Sequence, residues 1–393
     1  MSAPRRVVCV VLDGVGVGAA PDADRFGDHG ANSIANTAQR VGGLRLPHLA
    51  RMGLGRIVAA EGVPEEPAPM ALHGRMRPAA PGKDSTSGHW ELMGCVLQAP
   101  LPTYPAGFPA EVIDAFCAAI GRPVLGNRAD SGTAIIEALG ARHLETGFPI
   151  VYTSQDSVFQ VAAHEDVVPF ETLYRMCETA RRILAPPHAV GRVIARPFTG
   201  RLGTFRRTAR RRDFSLAPPG ETVLDRLAAA GLRTLTIGKI DDLFAGRGIA
   251  EAMHTADNAD GMRRTLAAAR AGAADFVFTN LVDFDTMWGH RNDARAYALG
   301  LEEFDSFLGE LLPALPADTL LIITSDHGND PTTPGTDHSR EYVPLLAWHR
   351  GLEVGRTLAD RATLADTGAT VARALGVEPP AGESFLDLVW PRR

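Results

Sequence analysis

Carboxylate and imidazole side chains are concentrated in one short segment towards the C-terminal end of the chain. Asp326 and His327 directly follow the apolar residues 320–323, and His338 lies eleven residues after His327. An unbroken apolar run is typical of a strand buried on both faces, which would deliver these polar side chains to its carboxyl end. A carboxylate and two imidazoles in this arrangement indicate a metal site.

Two further carboxylates follow apolar runs in the same way. Asp13 comes directly after residues 7–12, Asp285 comes soon after residues 274–281, and His290 lies in the adjoining loop. Three carboxylates and three imidazoles on one edge of a sheet carry much like charge, so cations are needed to hold them together. Mixed carboxylate and imidazole ligands suit Mn²⁺, Zn²⁺ or Fe²⁺ better than Ca²⁺, and six ligands are enough for two ions.

Three consecutive hydroxyl residues, Ser85, Thr86 and Ser87, precede a glycine in the segment 83–94. A loop rich in proline and glycine leads into them, and residues 90–93 predict that a helix follows. Two interpretations are open. Such a hydroxyl can cap a helix, or it can act in phosphoryl transfer, because amide groups and the helix dipole favour an anion there. Nearby metals favour the second interpretation, since coordination lowers the pKa of a serine hydroxyl and makes it a nucleophile.

Predicted strands and helices alternate along the parts of the chain that carry these residues. The predicted strands are residues 7–12, 232–237, 274–281 and 320–323, and the predicted helices are residues 31–41, 221–230 and 294–312. This alternation predicts an α/β fold with a doubly wound, mostly parallel sheet. The site should then lie outside the carboxyl ends of the strands.

An insertion interrupts the alternation. Prolines between positions 100 and 109 and the sequence Ala-Pro-Pro-Gly at 217–220 mark its two ends. We therefore predict a core domain in two parts, 1–98 and 218–393, with a smaller α/β cap domain, 99–217, inserted between them. Inside the cap, residues 150–161 predict two strands around a polar centre, and residues 171–184 predict a helix.

The composition excludes several classes of protein. The 393 residues carry a net charge of −6, so no bulk basic field attracts nucleic acid, and no apolar run approaches the length that spans a membrane. The four cysteines are widely spaced and form no CxxC, which predicts reduced thiols in a cytoplasmic protein. Asp13 interrupts the apolar run that follows Arg5 and Arg6, so no signal peptide is predicted.

Two other patterns have more than one interpretation. The glycines at 14, 16 and 18 suggest a dinucleotide-binding loop, which is not favoured because the pattern is GxGxG and no helix with a suitable acidic partner follows. The arginine-rich segment 201–212 is typical of a solvated surface, and the acidic chain makes a nucleic-acid patch the weaker alternative. At a phosphoryl-transfer site, one or two of these arginines would bind a phosphomonoester by charge-assisted contacts.

Taken together, the motifs resemble those of the bacterial phosphopentomutase family, within the alkaline phosphatase superfamily. The motifs are Asp-Gly at 13–14, Lys-Asp-Ser-Thr-Ser-Gly-His-Trp-Glu at 83–91, Asp285-x4-His290, Ser-Asp-His-Gly-Asn-Asp-Pro at 325–331 and Asp-His-Ser-Arg-Glu-Tyr-Val-Pro at 337–344. The resemblance covers nearly the whole chain in order. Gly-Arg-Val-Ile-Ala-Arg-Pro-Phe at 191–198 favours this family over the related cofactor-independent phosphoglycerate mutases.

The resemblance implies two Mn²⁺ ions, for which other divalent ions could substitute. One ion would be held by Asp285, His290 and His338, and the other by Asp13, Asp326, His327 and the nucleophile. The family usually has threonine at the nucleophile position, where this chain has Ser85, and Thr86 is the alternative nucleophile.

For the substrate, the resemblance implies that Ser154 and Asp156 contact sugar hydroxyls and that Arg192, Arg207 and Lys239 hold a distal phosphate. Lys239 could equally be a solvated lysine at the end of a strand. The cap is expected to close over the sugar and keep water from the phosphoserine. The partners are small pentose phosphates, with neither nucleic acid nor membrane.

The implied activity is reversible conversion of α-D-ribose 1-phosphate, or its 2-deoxy analogue, to the 5-phosphate. It would proceed through a phosphoserine and a 1,5-bisphosphate, primed by a sugar bisphosphate such as glucose 1,6-bisphosphate, within nucleoside and pentose phosphate metabolism. A metal-dependent phosphatase, a phosphodiesterase or a phosphoglycerate-mutase-like enzyme of the same superfamily would share the metal ligands. A protein that binds sugar phosphates without catalysing a reaction is the alternative outside the enzymes.

Overall fold

The computed structural model describes residues 4–154 and 156–391 of the chain. They form two compact units, one made of the residues up to 99 and from 218 onwards, and the other of residues 100–217. Within these described residues, no helix is both long enough and apolar enough to span a membrane.

The first unit contains seven strands and most of the helices, here numbered in chain order. Its strands are β1 (Arg6–Leu12), β2 (Leu72–Met76), β9 (Thr234–Ile237), β10 (Glu251–Met253), β11 (Phe276–Leu281), β12 (Thr319–Thr324) and β13 (Val343–Trp348). Its helices are α1 (Ser33–Val41), α2 (Pro47–Met52), α3 (Leu54–Ile57), α4 (Ser85–Leu92), α8 (Val223–Ala229), α9 (Ile240–Phe244), α10 (Asn258–Ala271), α11 (Ala294–Ala314), α12 (Ala365–Ala374) and α13 (Leu386–Val389).

The seven strands form one sheet in the order β10-β9-β11-β1-β12-β13-β2. The strands β10, β9, β11, β1 and β12 run parallel, whereas β13 and β2 are antiparallel to their neighbours. The central strands are buried along almost their whole length, as their unbroken apolar runs predicted. The expected mostly parallel α/β sheet is therefore confirmed, and the carboxyl ends of β11, β1 and β12 lie side by side.

Helix α4 begins at the hydroxyl motif itself rather than after it. Its N-cap is Asp84, whose side chain accepts a hydrogen bond from the amide of Ser87 at 3.0 Å. The hydroxyl of Ser87 also donates to Asp84, at 2.7 Å. Capping is thus performed by the carboxylate that precedes the three hydroxyl residues, and Ser85 is the first residue of the helix.

The second unit is a smaller α/β structure. Its strands are β3 (Leu125–Ala129), β4 (Ile150–Thr153), β5 (Val158–His164), β6 (Arg192–Thr199), β7 (Arg206–Arg207) and β8 (Arg212–Ser215), and its helices are α5 (Ala110–Ile120), α6 (Gly132–Thr146) and α7 (Phe170–Ile183). The sheet has the order β3-β4-β5-β6-β7, with β8 also paired to β6, and it mixes parallel and antiparallel pairs. Separate apolar clusters line the two faces of this sheet.

Candidate metal centre

The six predicted metal ligands all belong to the segments that follow β1, β11 and β12. Asp13 comes directly after β1, and one residue, Ser325, separates Asp326 from the end of β12. Asp285 lies in a π-helical turn, Phe284–Trp288, that follows β11. Because these three strands are adjacent and parallel, all three carboxylates meet at one edge of the sheet, where they are buried.

One group of side chains surrounds the hydroxyl of Ser85. Its Oγ lies 3.0 Å from Nε2 of His327 and 3.4 Å from Oδ1 of Asp13. The same Nε2 of His327 lies 3.4 Å from Oδ1 of Asp13 and 3.3 Å from Oδ2 of Asp326. Ser87 is turned to Asp84, so Ser85 rather than Ser87 presents its hydroxyl to the ligand groups.

A second group is centred on Asp285. Its two carboxylate oxygens face two imidazoles, with Nε2 of His290 3.4 Å from Oδ2 and Nε2 of His338 3.1 Å from Oδ1. The rings of His338 and His327 have centroids 4.1 Å apart, so the two groups adjoin each other. The ligand atoms of Asp285, His327 and His338 lie within 4.8 Å of one another. The assignment of His327 to the ion beside Ser85 therefore stays a prediction.

Surrounding polar groups orient several of these ligands. The Nδ1 atoms of His290 and His327 face the carbonyl oxygens of Thr336 and Gly328, at 2.6 and 3.0 Å, which leaves each Nε2 directed into the site. Two amides also support carboxylates: Asn280 Nδ2 donates to Asp13 at 2.8 Å, and Asn329 Nδ2 donates to Asp285 at 2.7 Å. Such contacts fix ligand orientation in metal sites.

Sequence reasoning missed His89, which is fully buried beside the side chains that surround Ser85. Its Nδ1 lies 3.0 Å from Oδ2 of Asp326, but it donates its hydrogen bond to the carbonyl oxygen of Ser85, at 2.9 Å. The spacing could have revealed it, because residues four apart lie on the same face of a helix. The ligand atoms of Asp13, His89 and Asp326 also lie within 4.8 Å of one another.

The polar atoms of the site fit divalent cations. Within the part of the chain that the structure describes, Oδ2 of Asp326 and Nε2 of His338 are buried and have no hydrogen-bond partner, although Nδ1 of His89 lies 3.0 Å from the first atom and Oδ1 of Asp285 lies 3.1 Å from the second. Unpartnered buried polar atoms of this kind are costly unless a ligand satisfies them. Carboxylate, imidazole and hydroxyl donors together match Mn²⁺ and other divalent transition metals.

Opposite charges dominate the electrostatics of the site. Burial alone would raise the pKa of Asp285, but the rings of His338 and His290 hold it well below its usual range. Burial alone would lower the pKa of His327, but the carboxylates of Asp326 and Asp13 hold it well above its usual value. Against the effect of burial, the carboxylate of Asp285 raises the pKa of His290 to about 9, so protons on His290 and His327 would balance the carboxylates without a cation, and a bound cation would replace them.

The predicted substrate residues of the second unit are only partly brought together. Arg192 lies between two carboxylates, 3.8 Å from Asp156 and 3.7 Å from Asp213, and Ser154 Oγ accepts a hydrogen bond from the amide of Asp156 at 3.3 Å. Arg207 is exposed on β7. This strand pairs with the C-terminal end of β6, whereas Arg192 is at the N-terminal end of β6. In the first unit, Lys239 is exposed between β9 and α9, where it is the N-cap residue of α9.

Comparison with known proteins gives consistent matches. Residues 5–379 match the model of the metalloenzyme superfamily. A phosphopentomutase from Carboxydothermus hydrogenoformans is 52% identical over 381 residues, which cover 97% of this chain and 98% of the relative. A phosphopentomutase from Anaeromyxobacter sp. is 55% identical over 383 residues, with 97% and 98% coverage.

A solved structure of a phosphoglycerate mutase from Leishmania mexicana, determined at low cobalt concentration, covers 97% of each chain with a TM-score of 0.52. Its sequence identity is 16%, so this likeness concerns the fold alone. With the superfamily match, it confirms the expected fold of the alkaline phosphatase type.

Proposed function

Because the chain belongs to the metalloenzyme superfamily and, within it, to the phosphopentomutase family, we propose that it transfers phosphate between C1 and C5 of ribose or 2-deoxyribose through phosphorylated Ser85. The chain is an enzyme of the isomerase class that acts by intramolecular phosphotransfer. Its substrates are pentose phosphates, and it depends on divalent metal. The observation that best supports the proposed route is the hydroxyl of Ser85 among Asp13, His327 and Asp326.

The proposed metal ligands are the six side chains at the sheet edge together with Ser85. They are Asp285, His290 and His338 for one Mn²⁺, and Asp13, Asp326, His327 and Ser85 for the other. When bound, two divalent ions lower the pKa of a coordinated hydroxyl and neutralise the oxygens of a transferring phosphoryl group.

The chain itself supplies the position and electrostatics of the nucleophile. Ser85 is the first residue of α4, so its hydroxyl lies at the positive end of the helix dipole, which favours a phosphoryl group there. The carbonyl of Ser85 is held by His89, and the preceding residue caps the helix, so the backbone at the nucleophile is fixed from both sides. Thr86 remains the alternative nucleophile.

In the proposed cycle, phosphorylated Ser85 donates its phosphate to the free hydroxyl of the pentose monophosphate. The resulting 1,5-bisphosphate reorients and returns its other phosphate to Ser85, which leaves the isomer. A sugar bisphosphate such as glucose 1,6-bisphosphate would prime the enzyme. The predicted substrate contacts are retained: Ser154 and Asp156 for the sugar hydroxyls, and Arg192, Arg207 and Lys239 for the distal phosphate. We place the enzyme in the cytoplasm, in keeping with its free cysteines.

A product assay separates this proposal from a phosphatase, which would share the metal ligands. The enzyme is incubated with α-D-ribose 1-phosphate, Mn²⁺ and a catalytic amount of glucose 1,6-bisphosphate, while ribose 5-phosphate and inorganic phosphate are both followed. We expect ribose 5-phosphate to form with little phosphate release. Stoichiometric phosphate without the isomer would contradict the mutase proposal.

A further inference from the structure

A fully buried carboxylate lies next to the metal centre without belonging to its ligand set. Glu341 follows His338 by three residues and has no ion-pair partner among the described residues. Burial raises the pKa of this carboxyl to about 7, although hydrogen bonds from Ser339 and Ser33 favour its charged form. An unpaired buried carboxylate is costly, so its neighbours need to satisfy it by hydrogen bonds.

Four donors satisfy the two oxygens of Glu341. Its Oε2 accepts from the amides of Gly18 at 3.1 Å and Ser33 at 2.9 Å. Its Oε1 accepts from two hydroxyls, those of Ser33 and Ser339, each at 2.7 Å. The carboxylate thus links the loop after β1, the start of α1 and the segment between β12 and β13.

The two serine hydroxyls also accept hydrogen bonds from the backbone that follows Asp326 and His327. Ser33 Oγ accepts from the amide of Asn329 at 3.2 Å, and Ser339 Oγ accepts from the amide of Asp330 at 3.1 Å. A hydroxyl has one proton, and here Glu341 accepts it, so the lone pairs are left to face these amides. The orientation of both hydroxyls is therefore set by the carboxylate.

These amides belong to the turn that begins with Asp326 and His327. Asn329 also donates its side-chain Nδ2 to Asp285, which connects the same turn to the second ligand group. The turn is packed directly against Glu341, because a Cβ on Gly328 would lie 2.5 Å from Oε1. A change in the carboxylate would consequently alter the positions of proposed ligands in both groups.

We propose that Glu341 is a positioning residue of the metal centre, which acts through the hydroxyls of Ser33 and Ser339 to hold Asp326, His327 and Asp285 in place for divalent ions. This inference rests on the proposed two-metal site. It assigns to Glu341 a role in metal affinity, separate from any contact with substrate or with the reacting atoms.

The test is Mn²⁺ binding by Glu341→Gln, measured by equilibrium dialysis at a pH above 7 without substrate. Glutamine keeps the shape of the side chain, but its amide nitrogen is a donor and cannot accept two of the four hydrogen bonds. We expect the Kd for Mn²⁺ to rise about 10- to 100-fold, as for other groups that support metal ligands. Ser339→Ala, which removes one of the two hydroxyls, should weaken binding by a smaller factor.

Comparing the single variants with the double variant Glu341→Gln/Ser339→Ala tests whether Glu341 acts through Ser339. If Glu341 acts through Ser339, the double variant should lose less Mn²⁺ affinity than the product of the two single losses. Losses that simply multiply would contradict the relay. If Glu341→Gln does not fold, Ser339→Ala decides alone, and unchanged Mn²⁺ affinity in that variant would overturn the inference.

Asp305→Asn is the matched control. Asp305 is another buried carboxylate of the first unit, and hydrogen-bond contacts join it to the amides of His48 and Leu49 and to the ring of His48, none of which belongs to a proposed metal ligand. Its variant should unfold at a lower temperature but bind Mn²⁺ as the natural chain does. Equal losses in both variants would overturn the inference, as would natural Mn²⁺ affinity in Glu341→Gln. A natural chain that binds no divalent ion would instead refute the proposed function.

Discussion

Replacing Gly88 with alanine should separate the helix of the proposed nucleophile, Ser85, from the turn that carries two proposed metal ligands. Gly88 lies on α4, three residues after Ser85. A Cβ at this position would overlap the carbonyl oxygen of Asp326 and would lie 3.0 Å from both its carbonyl carbon and its Cβ. Ordinary contact starts at 3.4 Å, so the helix and the turn must move apart by a few tenths of an ångström or more.

This displacement would act directly on the proposed nucleophile. Ser85 lies one turn before Gly88, so its 3.0 Å contact with His327 and its 3.4 Å contact with Asp13 would both lengthen. Because a misplacement of about 1 Å can cost roughly 100-fold in rate, we expect kcat to fall about 10- to 100-fold. Overpacking costs about 1–3 kcal/mol and the higher helix propensity of alanine offsets about 1 kcal/mol, so the free energy of unfolding should fall by no more than about 2 kcal/mol.

The assay measures kcat at saturating Mn²⁺ and ribose 1-phosphate, together with thermal unfolding. Gly309→Ala is the control, because Gly309 also lies inside a helix, α11, and the Cβ added there would meet the ring of His48 at 3.0 Å. The control should keep the natural kcat. A Gly88→Ala enzyme that folds, binds two ions and keeps kcat within about twofold would refute the reasoning that this contact sets the site geometry.

Three further predictions concern the substrate, the ions and a ligand-supporting amide. Arg207→Ala should raise KM for ribose 1-phosphate about 10- to 100-fold, as expected for a lost charge-assisted hydrogen bond of roughly 1.5–3 kcal/mol. Arg201→Ala should leave initial rates unchanged, and an unchanged KM in Arg207→Ala would remove Arg207 from the substrate site. Chelation by EDTA should lower the unfolding temperature, because ions at about 100 times their Kd stabilise the native state by roughly 2.7 kcal/mol per site. Melting that is insensitive to both EDTA and added Mn²⁺ would count against the metal centre. Asn280→Ala should weaken Mn²⁺ binding about 10-fold, since Asp13 loses its amide donor, and a calorimetric titration that shows natural affinity would contradict this role.

The central strands were predictable because each is an unbroken apolar run. Residues 7–12, 274–281 and 320–323 all fall within or around β1, β11 and β12, and the polar residue at the end of each run marked the site. The antiparallel pair of strands β13 and β2 was not predicted. Their pairing joins residues 72–76 with 343–348, and such long-range partners leave no local signal.

The residues that support the proposed ligands were harder to predict from the sequence than the proposed ligands themselves. Asn280 lies inside β11 and reads as an ordinary strand residue, and only its register opposite Val11 brings it to Asp13. Glu341 follows an arginine in a polar segment, which is typical of an exposed residue, whereas the fold buries it completely. Both roles depend on neighbours that are distant in sequence, so spacing alone could not reveal them.

The central claim is that Ser85 carries the phosphate between the two positions of the pentose. The most direct measurement is to treat the Mn²⁺ enzyme with glucose 1,6-bisphosphate, locate the phosphorylated residue by peptide mass spectrometry, and then add ribose 1-phosphate. We predict phosphate on Ser85, its transfer to the sugar as ribose 1,5-bisphosphate, and no phosphorylation of Ser85→Ala. Phosphate on Thr86, or a phosphoenzyme that yields only inorganic phosphate, would contradict the account.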